Sequence, residues 1–187
     1  VGAKVVVNDI SDDGTNEVVD AINASGGTAM AGIADVSDST AVGTMINAVM
    51  AEHGRIDVLV NNAGLISPML HFFEADEAWW RRIIDVNLTG HFIVSHPVAR
   101  IMAKQGGGNI VNMSSGEATR AHRAFTAYDA TKGGIEALTR AMALDHAHEG
   151  IRINAVCPGA VDTHMLYSER GDTVEEVRAA NLATIPE

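Results

Sequence analysis

IDVLVNN, residues 56–62, is the stretch from which the fold is read. Ile56, Val58, Leu59 and Val60 crowd apolar, mostly β-branched side chains into a few residues, and the asparagines that follow cannot continue a buried run. A strand with one wet face alternates polar and apolar residues, whereas a short continuous run suits a parallel strand covered on both faces. Similar runs lie on either side: AKVVVND (3–9), TAMAGIAD (28–35), GNIVNMS (108–114) and IRINAVC (151–157). Helix-like segments separate them, over about Asp13–Ala24, Asp38–His53, Asp76–Lys104 and Thr126–His148, with glycine-containing stops at SGG, HGR, QGGG and HEG. Strands alternating with helices predict parallel βαβ units with right-handed crossovers, hence a doubly wound α/β fold with helices on both faces of the sheet, in one domain over 1–187. In such sheets ligands bind beyond the carboxyl ends of the strands. That rule brings Asp9, Asp35, Asn61–Gly64, Ser114–Ser115 and Pro158–Thr163 to one edge.

Composition narrows the possible partners. The chain has 187 residues, 47% of them hydrophobic, which suffices for a buried core, and a formal charge of -11. That charge argues against unaided binding to nucleic acid or an anionic membrane and favours a small-molecule substrate. The apolar runs are too short to span a bilayer, VGAKVVVNDI lacks the basic head of a secretion signal, and the single cysteine, Cys157, cannot form an internal disulfide. A cytoplasmic location is the expectation. His146 and His148 stand two apart and so on different helix faces, and no metal is expected.

Tyr128 and Lys132 are four residues apart near the start of a predicted helix and share one face. A phenol of ordinary pKa near 10 is a poor base at neutral pH, and a neighbouring ammonium is expected to lower it. A Tyr-x-x-x-Lys pair by itself is commonplace packing. Its company is not: Ser115 follows one strand, NNAG (61–64) ends another, and Asn87 lies in DVNLTG (85–90). Spacing favours Ser115 over Ser114, whose alternative is a serine capping the strand end; for Asn87 the alternative is a kink or a local backbone bond.

With NNAG, Asn87, Ser115 in IVNMSS, YDATK (128–132) and CPGAVDT (157–163) in that order, and thirteen residues from Ser115 to Tyr128, the chain resembles the short-chain dehydrogenases/reductases over about residues 2–163. The resemblance implies a Rossmann-like, three-layer αβα fold and an NAD(P)-dependent oxidoreductase acting on a secondary alcohol or ketone. Tyr128 would be the general acid/base, Ser115 would hold the substrate oxygen, Lys132 would lower the Tyr128 pKa and bind the nicotinamide ribose, and Asn87 would hold a relay water. Asp9, after the first strand here, suits the adenosine ribose hydroxyls and repels a 2′-phosphate, so NAD is expected in preference to NADP; its alternative is a cap for the next helix. The resemblance places Asp35 and Val36 beside adenine, Asn62, Ala63 and Gly64 against the cofactor, and Val161 and Thr163 at the carboxamide. It also implies a homo-oligomer, tetramer or dimer; Trp79 and Trp80 read as packing or interface residues.

The sequence departs from the family pattern at both ends. The usual first strand with its Gly-rich phosphate turn is missing, as is the C-terminal segment, and an incomplete record of a full enzyme is the expectation. Two rival readings remain, a 3-oxoacyl-thioester reductase and a non-catalytic binding protein of the same fold.

Overall fold

The computed structural model describes residues 2–66, 68–161, 163 and 165. Five parallel strands alternate with helices: β1 (Lys4–Asp9), α1 (Asp12–Ala24), β2 (Thr28–Ile33), α2 (Ser39–His53), β3 (Val58–Asn61), α3 (Glu77–Ile84), α4 (Gly90–Gln105), β4 (Gly108–Met113), α5 (Thr126–His146) and β5 (Ile151–Val156). The predicted boundaries hold closely because capping side chains fix them. Ser11 Oγ accepts from Gly14 N ahead of α1, Asp38 Oδ1 from Thr40 N ahead of α2, and Asp76 Oδ1 from Trp79 N ahead of α3. Gly54 and Gly106, both left-handed, close α2 and α4.

The long helix expected over Asp76–Lys104 is interrupted. Asp85–Thr89 forms a π-helical turn between α3 and α4, and the residue inside it that is fully buried is Asn87. Such turns insert one extra residue into a helix and often mark functional sites.

The strands pair in two parallel ladders, β1 with β2 and β3–β4–β5. Register runs from Lys4↔Thr28 to Asp9↔Ile33, from Val58↔Asn109 to Asn61↔Asn112, and from Gly108↔Ile151 to Met113↔Val156. The core gathers Val42 and Ile46 of α2, Val94, Val98 and Met102 of α4, Ile110 of β4, and Ile151 and Ile153 of β5, with Met142 of α5 packed against it. Burial along β3 and β5 nevertheless alternates, and Val58, Val60 and Val156 are exposed.

The two ladders meet at their carboxyl ends. Val36, after β2, packs on Gly90 at the start of α4, where an added Cβ would lie 2.8 Å from Val36 Cγ2 and 3.4 Å from Asp85 O. Asn87, three residues earlier, grips the loop after β3. Among the described residues no helix is long and apolar enough to cross a membrane. Gly90→Ala should destabilise the protein by about 1–3 kcal/mol through overpacking, against the ordinary helix advantage of alanine of about 1 kcal/mol. Urea denaturation should show Val36→Ala in the same chain recovering most of the loss.

Candidate active site

A buried polar array fixes the floor of the site. Asn61, the last residue of β3, donates through Nδ2 to Ser95 Oγ on α4 and to Asn112 Oδ1 on β4, both at 2.8 Å. Asn112 Nδ2 in turn donates to Thr139 Oγ1 on α5 at 2.9 Å. Buried polar groups carry a large desolvation cost unless paired, so this satisfied array permits one relative placement of two strands and two helices.

Above it stand the two serines. Ser114 is buried and its Oγ donates to Lys132 O at 2.9 Å, which fastens β4 to α5. Ser115 precedes a single turn of 3-10 helix, Gly116–Ala118, and its Oγ accepts from Glu117 N at 3.2 Å. The Ser115 hydroxyl also faces the Tyr128 phenol and favours its ionised form. The structure thus gives Ser114 a framework role and Ser115 the contact with the phenol. Ser114 N to Val156 O, 2.8 Å, and Gly116 N to Pro158 O, 2.9 Å, tie this turn to the segment after β5.

Tyr128 enters on the first turn of α5 from a loop whose Ala124 has φ 66, a left-handed conformation that costs a residue with a Cβ roughly 1 kcal/mol. Phe125 packs edge-on against the Tyr128 ring at 5.9 Å, and Lys132 Nζ lies 5.3 Å from the ring centroid. The expected lowering of the Tyr128 pKa is not what the structure shows. Burial raises it; the Ser115 hydrogen bond opposes the rise, and the carboxylates of Glu117 and Asp129 add to it. Lys132 is itself strained electrostatically: burial pushes its ammonium down to about 8, and Nζ donates to Met113 O at 2.7 Å.

Asn87 binds across the site rather than into solvent. Its Oδ1 accepts from Leu65 N at 2.7 Å, and Nδ2 donates to Leu65 O at 2.8 Å and Thr131 Oγ1 at 3.3 Å. Both donors are engaged, and Oδ1 retains one acceptor position. The loop Asn62–Gly64 is thereby held at the end of β3. A Cβ added to Gly64 would meet Asn87 Oδ1 at an ordinary 3.5 Å, so the protein's own packing leaves room there, and the backbone is open to a close-lying ligand.

Asp9, Asp35 and Val36 stand at the ends of the β1–β2 ladder. Asp9 is exposed and its Oδ1 accepts from Ser11 N at 3.0 Å; the cap of α1 is Ser11, which removes the capping alternative for Asp9. Asp35 Oδ1 accepts from both Ser37 N and Ser37 Oγ, and those bonds hold its carboxyl below the ordinary range. Val36 faces Gly90. At the other end Val161 is 51% exposed and Thr163 Oγ1 donates to Val161 O at 3.4 Å. Asp162 lies outside the described residues.

A family model described as short chain dehydrogenase matches residues 1–173. The chain belongs to the short-chain dehydrogenase family. It is 37% identical over 185 residues to cis-4-hydroxycyclohexanecarboxylate dehydrogenase of Sinomonas cyclohexanicum, covering 99% of this chain and 72% of that protein. NAD+-bound xylitol dehydrogenase superposes with a TM-score of 0.81 at 31% identity, over 83% of this chain and 60% of its own. Gluconate 5-dehydrogenase of Burkholderia cenocepacia J2315, in complex with NADP and tartrate, gives 0.84 at 30% identity, over 96% of this chain and 76% of its own. The chain thus spans between 60% and 76% of the length of these relatives. Short-chain dehydrogenases are oxidoreductases of CH–OH groups that use NAD(P), and a doubly wound parallel α/β architecture is what this member shares with them.

Sequence reading passed over three side chains at this dehydrogenase site: Thr131, Glu117 and His91. Thr131 is buried and bonded to Asn87, and Glu117 acts on Tyr128. His91, one turn after Asn87, is 3% exposed and its Nε2 has no hydrogen-bond partner. A lone histidine in GHF gave no signal; only the fold brings it near Lys132. Burial and the Lys132 ammonium push the His91 imidazole down to about 4, against a smaller opposing effect of the Asn61 and Asn87 backbone. Between about pH 6.5 and 4 the unfolded chain therefore holds a proton at this position that the folded chain does not, so stability falls as pH drops through that window. The full effect is about 3 kcal/mol. Urea denaturation at pH 7 and pH 4.5 should show a smaller acid loss for His91→Gln than for the unaltered protein.

Proposed function

We propose that the protein is an NAD-dependent oxidoreductase that interconverts a secondary alcohol and its ketone. The observation that carries this reading is the Lys132 ammonium 5.3 Å from the Tyr128 ring, with the Ser115 hydroxyl facing the same phenol. A substrate oxygen between the two hydroxyls meets one group that orients it and one that exchanges its proton.

Tyr128 gives its phenolic proton to the ketone oxygen in reduction and recovers it from the alcohol in oxidation. Its raised pKa keeps the phenol protonated at neutral pH, which suits reduction; oxidation requires the phenolate and gains as pH rises. The Lys132 ammonium, charged up to about pH 8, lies beside the ring on which negative charge develops as the proton leaves. Asn87 positions the Asn62–Gly64 loop through Leu65 and helix α5 through Thr131, and its remaining Oδ1 acceptor suits a relay water. Bound nicotinamide supplies the hydride acceptor or donor.

The same geometry supports a set of residues for holding that cofactor. Asn62, Ala63 and Gly64 offer an open backbone, Lys132 has two N–H donors beyond the one on Met113 O for ribose hydroxyls, and Val161 and Thr163 lie after β5. Asp35 and Val36 lie beyond β2, at the adenine end. The exposed Asp9 carboxylate accepts hydroxyl hydrogen bonds and repels a phosphate, which supports NAD over NADP. The solved relatives include one bound to NAD+ and one bound to NADP.

Tyr128→Phe should lower turnover by roughly 10²–10⁴-fold or more, the range for loss of a general acid/base, with NAD affinity nearly unchanged by fluorescence titration. Asp9→Ala should narrow the ratio of kcat/KM for NAD over NADP; an unaltered ratio removes Asp9 from ribose recognition.

A further inference from the structure

The turn after Ser115 carries a carboxylate that the mechanism above leaves idle. Glu117 N donates to Ser115 Oγ at 3.2 Å, so this side chain projects from the residue that orders the serine hydroxyl. Its Oε2 is buried without a hydrogen-bond donor, while the side chain as a whole keeps 23% of its surface exposed and so remains within reach of a ligand. His122 Nε2 lies 3.5 Å from Oε2, on an imidazole that is 55% exposed. His122 N donates to Asp129 Oδ2 at 3.1 Å, the His122 ring stands 5.7 Å from Phe125, and Phe125 stands 5.9 Å from Tyr128. The loop 116–125 is thus folded back onto the phenol, with Glu117 at its beginning. Glu117 and Asp129 both favour the uncharged phenol. Arg120 and Arg123 belong to the same loop but are exposed, where water and salt screen them.

A substrate oxygen held by Ser115 Oγ and Tyr128 Oη sets the substituents of the reacting carbon beside this turn. A carboxylate there accepts hydrogen bonds from hydroxyl groups and repels another carboxylate. We propose that Glu117 is a specificity-determining residue: it accepts a hydrogen bond from a hydroxyl next to the reacting carbon, selecting neutral polyhydroxylated alcohols and rejecting those that carry a carboxylate. This rests on the oxidoreductase reading and narrows its substrate class.

The test compares oxidation of five- and six-carbon alditols with that of the matching aldonates, with NAD, in the unaltered protein, Glu117→Gln and Glu117→Asp. Calorimetric binding of the same compounds is read alongside. The unaltered protein should favour the alditol by roughly tenfold or more in kcat/KM, as expected for one unscreened like-charge contact. Glu117→Gln should lose that preference, while Glu117→Asp, which keeps the charge, retains it; a merely structural role would move both variants together. An unchanged ratio in Glu117→Gln, a preference for aldonates in the unaltered protein, or unused alditols alongside oxidation of other secondary alcohols would overturn the proposal. If no alcohol is oxidised, the oxidoreductase reading fails and binding decides on Glu117 alone. Tighter alditol binding that Glu117→Gln abolishes upholds its role, and equal or absent binding of the two classes overturns it.

Discussion

The site depends first on one amide. The side chain of Asn87 holds the loop after β3 by both its N–H and its carbonyl at Leu65, and reaches Thr131 on the helix that carries Tyr128 and Lys132. Three chain segments distant in sequence meet on a single buried group. A regular helix would place that amide at a different angle; the π turn Asp85–Thr89 rotates it into position, and the close contact of Gly90 with Val36 lets the first ladder approach the same point. The cost of burying an amide is offset because each of its polar atoms finds a partner.

Around that anchor several ionisable groups of the site are largely withdrawn from solvent. Lys132 and His91 both lie where burial disfavours their charged forms, and Tyr128 where burial disfavours the phenolate. The phenol proposed to exchange a proton with substrate is thereby set in surroundings that resist its ionisation. Low polarity also strengthens whatever field remains, so one ammonium and two carboxylates near the ring govern its proton more firmly than they would in water. This is why a loop carboxylate such as Glu117 matters: in a solvated cleft its charge would be screened before it reached the substrate.

Much of this was legible in the sequence, and the rest for definite reasons was not. The five β-branched runs mark the strands closely because a buried parallel strand leaves a continuous apolar trace, and Ser115, Tyr128 and Lys132 are readable because chemistry fixes their spacing. The break at Asp85–Thr89 leaves no such trace: the periodicity of α3 and α4 continues across it, and only geometry reveals the extra residue. The direction of the Tyr128 shift was misjudged for a similar cause. Four-residue spacing announces the lysine, but burial and the acids of a separate turn are three-dimensional facts. His91 is the extreme case, an unremarkable letter whose surroundings are set by residues far along the chain.

β4 is hydrogen-bonded along both edges, to β3 and to β5, and Ser114 and Ser115 hang from its end. Strands paired on both sides are among the last parts of a protein to open. The two serines are therefore attached to a part of the sheet that yields late, and the turn they begin keeps its shape through the small local openings that loosen a chain's periphery.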